Sequence, residues 1–145
     1  MFIVSFIDQI IKEKILLLFI SNKITDYKIN HFLTITEVWN SGVIFSTLDK
    51  YTLPPLVFIN TSLILMVTIM YLFFNTDAIL GGIFLGGLIS NLKDRVIFGK
   101  VLDFIALYFM NFHCPIFNTS DVFIIVGLTL ILNKSRVLFI KHSTK

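Results

Sequence analysis

The stretch NLKDRVIFGKVLDFIALYF, residues 91–109, sets Lys93, Asp94, Arg95, Lys100 and Asp103 among Phe, Ile, Leu and Val. Ionisable groups inside or at the edge of a bilayer cost several kcal/mol unless paired or functional. Whether this knot of charge lies in water or at a membrane therefore decides the fold. Immediately upstream, Ala78 to Leu92 is 15 residues without a formal charge, and between Lys50 and Asp77 lie 26 more. A helix needs roughly 20 apolar residues to cross about 30 Å of hydrocarbon. The whole chain is 56% hydrophobic and 14% charged, where soluble domains run to about a quarter charged. The knot is therefore read as the polar end of a membrane span.

Working outward, Asn75, Thr76 and Asp77 leave only a short turn between two spans, so these form a helical hairpin. A further apolar run begins near Phe117 and continues to Asn133, with Lys134 and Arg136 placed to snorkel toward head groups. The N-terminal run from Phe2 to Ile20 carries Asp8, Lys12, Glu13 and Lys14 and lacks the basic n-region and small-residue cleavage site of a signal peptide, so it is read as a retained span. The sequence predicts an all-α integral membrane protein of one domain, 1–145, with four transmembrane helices at about 2–20, 53–74, 78–93 and 118–138. Residues 21–52, with the turn signal Asn40-Ser41-Gly42, form a small extracytoplasmic flap containing β-strand. Residues 94–117 are an interfacial segment, amphipathic from Val101 to Phe109 and ended by Pro115. Trp39 and Phe45 of the flap are placed to dip into lipid or cover a site. Lys134, Arg136, Lys141 and Lys145 put the tail in the cytoplasm by the positive-inside rule.

Several function classes drop out. The net charge of +3 comes with no basic stripe interleaved with aromatics, so no nucleic acid is expected. One cysteine, Cys114, excludes an internal disulfide framework. His31, His113 and His142 are scattered, so neither metal nor organic cofactor is expected. His113-Cys114 are sequence neighbours, which rarely face each other as nucleophile and base. Gly82 and Gly86 in GGIFLGG have the small-xxx-small spacing of close helix packing, with no preceding strand to make a phosphate loop.

The acids remain. Asp8 and Lys12 are spaced i, i+4, which reads as an ion pair tying down the first helix. Asp94 and Arg95 point apart on a helix; an interfacial cap and a supporting role beside a site are both open. Asp103 and Asp121 each lack a basic residue within four positions on the C-terminal side. Asp121 could simply cap the fourth span from within FNTSD. If the two carboxylates meet, they cannot both ionise cheaply, and a shared proton makes one an acid and the other a base for water.

DQIIK (8–12), NSGVIF (40–45), GGLISNLKDRVIFGKVLDF (86–104) and FNTSD (117–121) resemble, in order and spacing, the signature blocks of the bacterial lipoprotein signal peptidases, the signal peptidase II family. The resemblance implies a multi-pass aspartyl endopeptidase of the bacterial inner membrane, active on the periplasmic side. Such an enzyme removes the signal peptide from prolipoproteins by cutting before a diacylglyceryl-modified cysteine. It implies Asp103 and Asp121 as the catalytic pair. Asn91, Asp94, Arg95 and Asn118 support them, with Asn40 and Gly42 from the flap and Asp8 and Lys12 from the first helix. Its partners are the prolipoprotein substrate and membrane lipid, and a monomer is expected. Ser90, Ser120 and Ile44 depart from the family's usual Gly, Ala and small residue. The alternative is a four-helix transporter or channel subunit relaying protons. That would need carboxylates near the bilayer midplane, whereas Asp103 follows a charged stretch.

Overall fold

The computed structural model describes residues 1–41, 63–65, 68, 77–110 and 112–143. Gly42, Ile44, Phe45 and all but four residues of the expected 53–74 span lie outside them. Helix α1 covers Phe2–Asn22, α2 Ala78–Phe98 and α3 Thr119–Ser143, matching three of the expected spans in place. Residues 63–65 and 68 are also helical, and Leu63 and Ile64 pack against the helix core of Phe84, Leu88 and Ile131.

The ends of α2 follow from local chemistry. Asp77 caps its start, its side chain accepting from Ile79 N at 2.9 Å. Gly99 ends it with φ +72 and its N–H on Arg95 O, a left-handed conformation that costs a side-chain-bearing residue. Two residues later the chain is a strand.

The strands expected within 21–52 are present as Asp26–Lys28 and Leu33–Asn40, but the sheet extends beyond that flap. Val101–Phe109 is β3, the longest strand of an antiparallel sheet ordered β1 (Asp26–Lys28), β2 (Leu33–Asn40), β3, β4 (Phe112–His113). Within 94–117, read as interfacial and amphipathic, residues to Phe98 complete α2, and Val101–Phe109 and Phe112–His113 are strands of the sheet. The hydrophobic run was ambiguous because Val101, Leu102, Asp103 and Phe104 are all buried. A strand covered on both faces loses the alternation that identifies one. Trp39 of β2, expected at lipid or over a site, is held by Phe98 edge-on at 5.6 Å and lies beneath Lys100 Nζ at 4.9 Å.

A bulge in β2 sets which face Asp103 shares. Ile35 pairs with Ile105, but Val38 pairs with Asp103 and Asn40 with Val101, so β2 carries one extra residue between. Because strand side chains alternate, that residue puts Val38 and Asn40 on the face of Asp103. Without it, Asp103 would oppose Glu37 and Asn40 would point away.

Among the described residues no helix is long and apolar enough to cross a membrane. The charged residues of α1 and α2 include Asp8, Lys12 and Asp94, which are 0%, 4% and 2% exposed and turned toward neighbouring helices. The helices approach closely through glycine. A Cβ on Gly86 would lie 2.6 Å from Val4 Cβ of α1, and one on Gly87 2.6 Å from Ser120 O of α3. Gly127→α2 contact is equally tight, 2.7 Å from Phe84 N. Asp77 and Lys134 pair at 2.8 Å, which puts the start of α2 beside the later half of α3.

Gly87→Ala should therefore force α2 from α3 and cost roughly 1–3 kcal/mol, read as a lowered midpoint of thermal unfolding. At Gly82 the nearest atom is Met1 N at 3.1 Å, and Gly82→Ala should cost less. Equal midpoints for the two variants would show that the α2–α3 contact has slack.

Candidate active site

Phe117 is the hinge between sheet and helices. Its carbonyl accepts from Phe104 N and Ile105 N at 3.1 and 2.8 Å, and its own N–H donates to Ile105 O at 3.2 Å. The pairing fixes the next residue, Asn118, beside Asp103 at the first turn of α3.

Asn118 and Asp121 form a reciprocal cap. Asp121 N donates to Asn118 Oδ1 at 3.0 Å, and Asn118 N donates to Asp121 Oδ2 at 3.1 Å. This is a capping box, so the capping reading of Asp121 holds. It does not exclude a second role, because the same asparagine reaches Asp103: Asn118 Nδ2 donates to Asp103 Oδ1 at 2.7 Å and to Asn91 Oδ1 at 3.1 Å. Asn40 Nδ2, delivered by the bulge, donates to Asp103 Oδ2 at 2.9 Å, and Asn91 Nδ2 donates to Asp121 Oδ1 at 2.8 Å. Asp103 and Asp121, 18 positions apart in the chain, are thus held by one side chain and its backbone.

Neither carboxylate forms an ion pair among the described residues. Asp103 is 3% exposed. Burial raises its carboxyl, and the charge of Asp121 adds to the rise against the opposing amides of Asn40 and Asn118 and the charge of Lys12. Asp121 is half-buried.

Behind the pair lies a buried ionic cluster. Lys12 Nζ is 2.8 Å from Asp8 Oδ2 and 2.6 Å from Asp94 Oδ2, and it also donates to Asn91 Oδ1 at 3.3 Å. The expected Asp8 and Lys12 pair is present and extended to Asp94, whose partners thus come from another helix. Arg95 lies where its charge acts on Asp94, Asp103 and Asp121, and its Nε has no partner among the described residues. Asp8 caps α3 from outside it: Asp8 Oδ1 accepts from Ser120 N at 2.9 Å and from Thr119 Oγ1.

The remaining partners were not singled out in sequence as site residues. Gln9 Nε2 donates to Asp94 Oδ1 at 2.7 Å and to Ser90 Oγ at 3.0 Å, while Ser90 Oγ donates to Asp8 Oδ2 at 2.7 Å. Gln9 shares a helix face with Asp8 and Lys12, a signal that an uncharged polar residue in an apolar run can give. His113 is elsewhere, packed edge-on against Tyr108 at 5.1 Å. Among the described residues no three metal-ligating side chains cluster.

Residues 1–137 match the family model of signal peptidase (SPase) II. The lipoprotein signal peptidase of Rickettsia bellii is 34% identical over 110 residues, 72% of this chain and 56% of that protein. That of Anaplasma marginale is 36% identical over 105 residues, 70% and 62%. That of Aquifex aeolicus is 33% identical over 116 residues, 76% and 70%. The chain thus spans between 56% and 62% of the length of the Rickettsia bellii and Anaplasma marginale proteins. A solved structure described as a bacterial membrane enzyme superposes with a TM-score of 0.71 at 24% identity, covering 99% of this chain and 87% of that one, and so shares its fold. With the family match running through both carboxylate blocks and nearly the whole length, the chain belongs to the signal peptidase II family.

Proposed function

We propose that the chain is a membrane aspartyl endopeptidase that removes the signal peptide of diacylglyceryl-modified prolipoproteins, cutting before the lipidated cysteine. The observation that carries the reading is the single Asn118 that binds both Asp103 and Asp121. The relatives are named lipoprotein signal peptidases, which supplies the substrate class. In the proposed reaction the ionised carboxylate takes a proton from water as the hydroxide adds to the scissile carbonyl. The protonated carboxyl hydrogen-bonds the carbonyl oxygen and then gives its proton toward the leaving nitrogen as the C–N bond breaks. Protons pass only between water, carboxyls and substrate.

The same reading takes four helices, with 53–74 as the second, across the bacterial inner membrane in one domain. Exposed Phe2, Ile3, Phe6, Ile20, Ile79 and Ile125, each 65% or more exposed, support lipid-facing helix surfaces. The basic tail favours a cytoplasmic C-terminus, which puts the sheet and the Asp pair on the outer side. There the acyl chains of the substrate can stay in the leaflet while water reaches the carboxylates. Asn91, Asp94, Arg95, Asn118, Asn40, Asp8, Lys12 and Gly42 serve as supporting residues, and a monomer suffices because both acids come from one chain.

The test is cleavage of a diacylglyceryl-modified prolipoprotein and its unmodified counterpart by the protein in lipid. Asp103→Asn and Asp121→Asn should each abolish signal-peptide release while leaving thermal unfolding within a few degrees of the parent. Release by either variant would refute the dyad.

Activity should also depend on pH with a defined sign. The pair titrates as a unit, and burial raises the Asp103 carboxyl. The proton needed on the dyad is then retained to higher pH than on an exposed aspartate and lost as pH rises through the raised value. The alkaline limb of the kcat profile should accordingly lie above the pH at which an exposed aspartate titrates. Stability should follow the same sign: the folded state holds a proton the unfolded chain has released, so wild type loses stability relative to Asp103→Asn as pH climbs through that window. A constant difference between the two from acid to neutral pH would contradict the raised carboxyl.

A further inference from the structure

We propose that Lys12 is a positioning residue for the dyad: by locking the amide of Asn91 it makes Asp121 the ionised base and leaves the shared proton on Asp103. The inference rests on the dyad reading above and adds an assignment of roles within it.

The lock follows from counting donors and acceptors. An ammonium has donors only, and an asparagine side chain has one accepting oxygen and one donating nitrogen. Asn118 Oδ1 accepts from Asp121 N, so Asn118 must present its Nδ2 to Asn91. Lys12 Nζ approaches the same Asn91 oxygen. Both neighbours of Asn91 Oδ1 are therefore obligate donors, and turning the amide over would set its NH2 against an ammonium and another NH2. The nitrogen is left with one direction, toward Asp121 Oδ1. A fixed donor favours the charged form of its acceptor. Asp121 Oδ2 meanwhile accepts Asn118 N at the start of α3, where the helix dipole also favours negative charge.

Asp103 accepts as many neutral amide donors as Asp121 does, so burial, not the number of donors, is what separates the two acids. The two donors to Asp103 are neutral side-chain amides, those of Asn40 and Asn118. Asp103 is far more deeply buried than Asp121. Between two carboxyls sharing one proton, the buried one keeps it.

Toward Asp121, Lys12 acts by orientation. Its ammonium faces Asp8 from α1 and Asp94 from α2, so the cluster as a whole carries one excess negative charge. The remaining charged groups near the dyad are Arg95 from α2 and the two aspartates themselves. The charge of Lys12 also acts on Asp103, where it opposes the rise that burial causes, and the Asn91→Ser variant, which leaves that charge in place, separates orientation from field.

Three variants in saturating-substrate assays across pH test this. Lys12→Gln replaces a donor-only group with one that can also accept, removing one of the two donors that hold Asn91. Asn91→Ser cuts the link while leaving both ion pairs of Lys12 in place. Lys12→Arg keeps the donor-only character. The first two should lower kcat about tenfold or more at mildly acidic pH, leave KM within about twofold, and move the acid limb upward by about one pH unit, a unit being a tenfold change. Lys12→Arg should return the limb toward the parent. An unmoved acid limb in Asn91→Ser would overturn the proposal, even if Lys12→Gln failed to fold. A shift in Lys12→Gln without one in Asn91→Ser would also overturn it, showing direct charge instead. Asp103→Asn run in parallel separates the two levels: turnover there refutes the dyad itself, while an inactive Asp103→Asn with an unshifted Asn91→Ser profile refutes only the lock.

Discussion

The ammonium of Lys12 sits between two carboxylates on two helices, out of contact with solvent. Placing three charges in such a setting is costly, and their mutual attraction repays the cost only when geometry and further hydrogen bonds are satisfied. Here they are satisfied by groups from every helix around. Gln9 and Ser90 complete the two carboxylates, and Thr119 and Ser120 of α3 bond the remaining oxygen of Asp8. Removing one member strands the others, so α1, α2 and the start of α3 are joined at a point that cannot loosen by degrees. On the proposed membrane reading this matters more, because lipid offers helices no hydrophobic reason to associate. Close glycine contacts and polar bonds must do it instead.

That junction has a direction. Asp8 satisfies Ser120 N and Asn118 satisfies Asp121 N, so consecutive orphan amides at the head of α3 are met by different parts of the fold. The sheet arrives independently, through the pairing of Phe117 with Ile105 and the extra residue in β2. Two separately built units, a helix junction and a strand pair, therefore converge on Asn118. An asparagine suits the meeting point because its oxygen can cap a helix while its nitrogen serves a carboxylate and an amide at once.

Much of this was legible in sequence, and the missing parts share a cause. Helices at 2–22, 78–98 and 119–143 announce themselves by long apolar runs, and the Asp8 and Lys12 pair by its i, i+4 spacing. The carboxylates at 103 and 121 stood out as acids without a local counter-ion, and the structure brings them to one asparagine. Strand β3 did not, because burial on both faces erased its alternation. Nor could the sequence show Asp94 as the second partner of Lys12, since an 82-residue separation leaves no periodic trace. The bulge between Ile35 and Val38 is invisible for a related reason: a shift of one residue changes which face Asn40 occupies without changing any residue type. Ser90 looked like a mere departure from the family's usual glycine. Its hydroxyl proves to bridge Gln9 and Asp8, so the added side chain was absorbed into the ionic cluster.

The division between cations behind and amides in front has a chemical logic. A lysine or arginine in direct contact with Asp103 or Asp121 would hold that carboxylate ionised and acceptor-saturated, and a dyad so pinned could neither keep a shared proton nor return one to a leaving group. Neutral amides also favour the charged form, but they bias a carboxyl less than a contacting cation would, so the proton can still be exchanged. Asn40, Asn91 and Asn118 therefore fix the positions of the oxygens and only bias their charge. The full charges needed to bind the helices together are kept one residue back, where Lys12 answers to Asp8 and Asp94 and touches the site only through an amide oxygen. Rigidity and the freedom to titrate are thus assigned to different residue types a hydrogen bond apart.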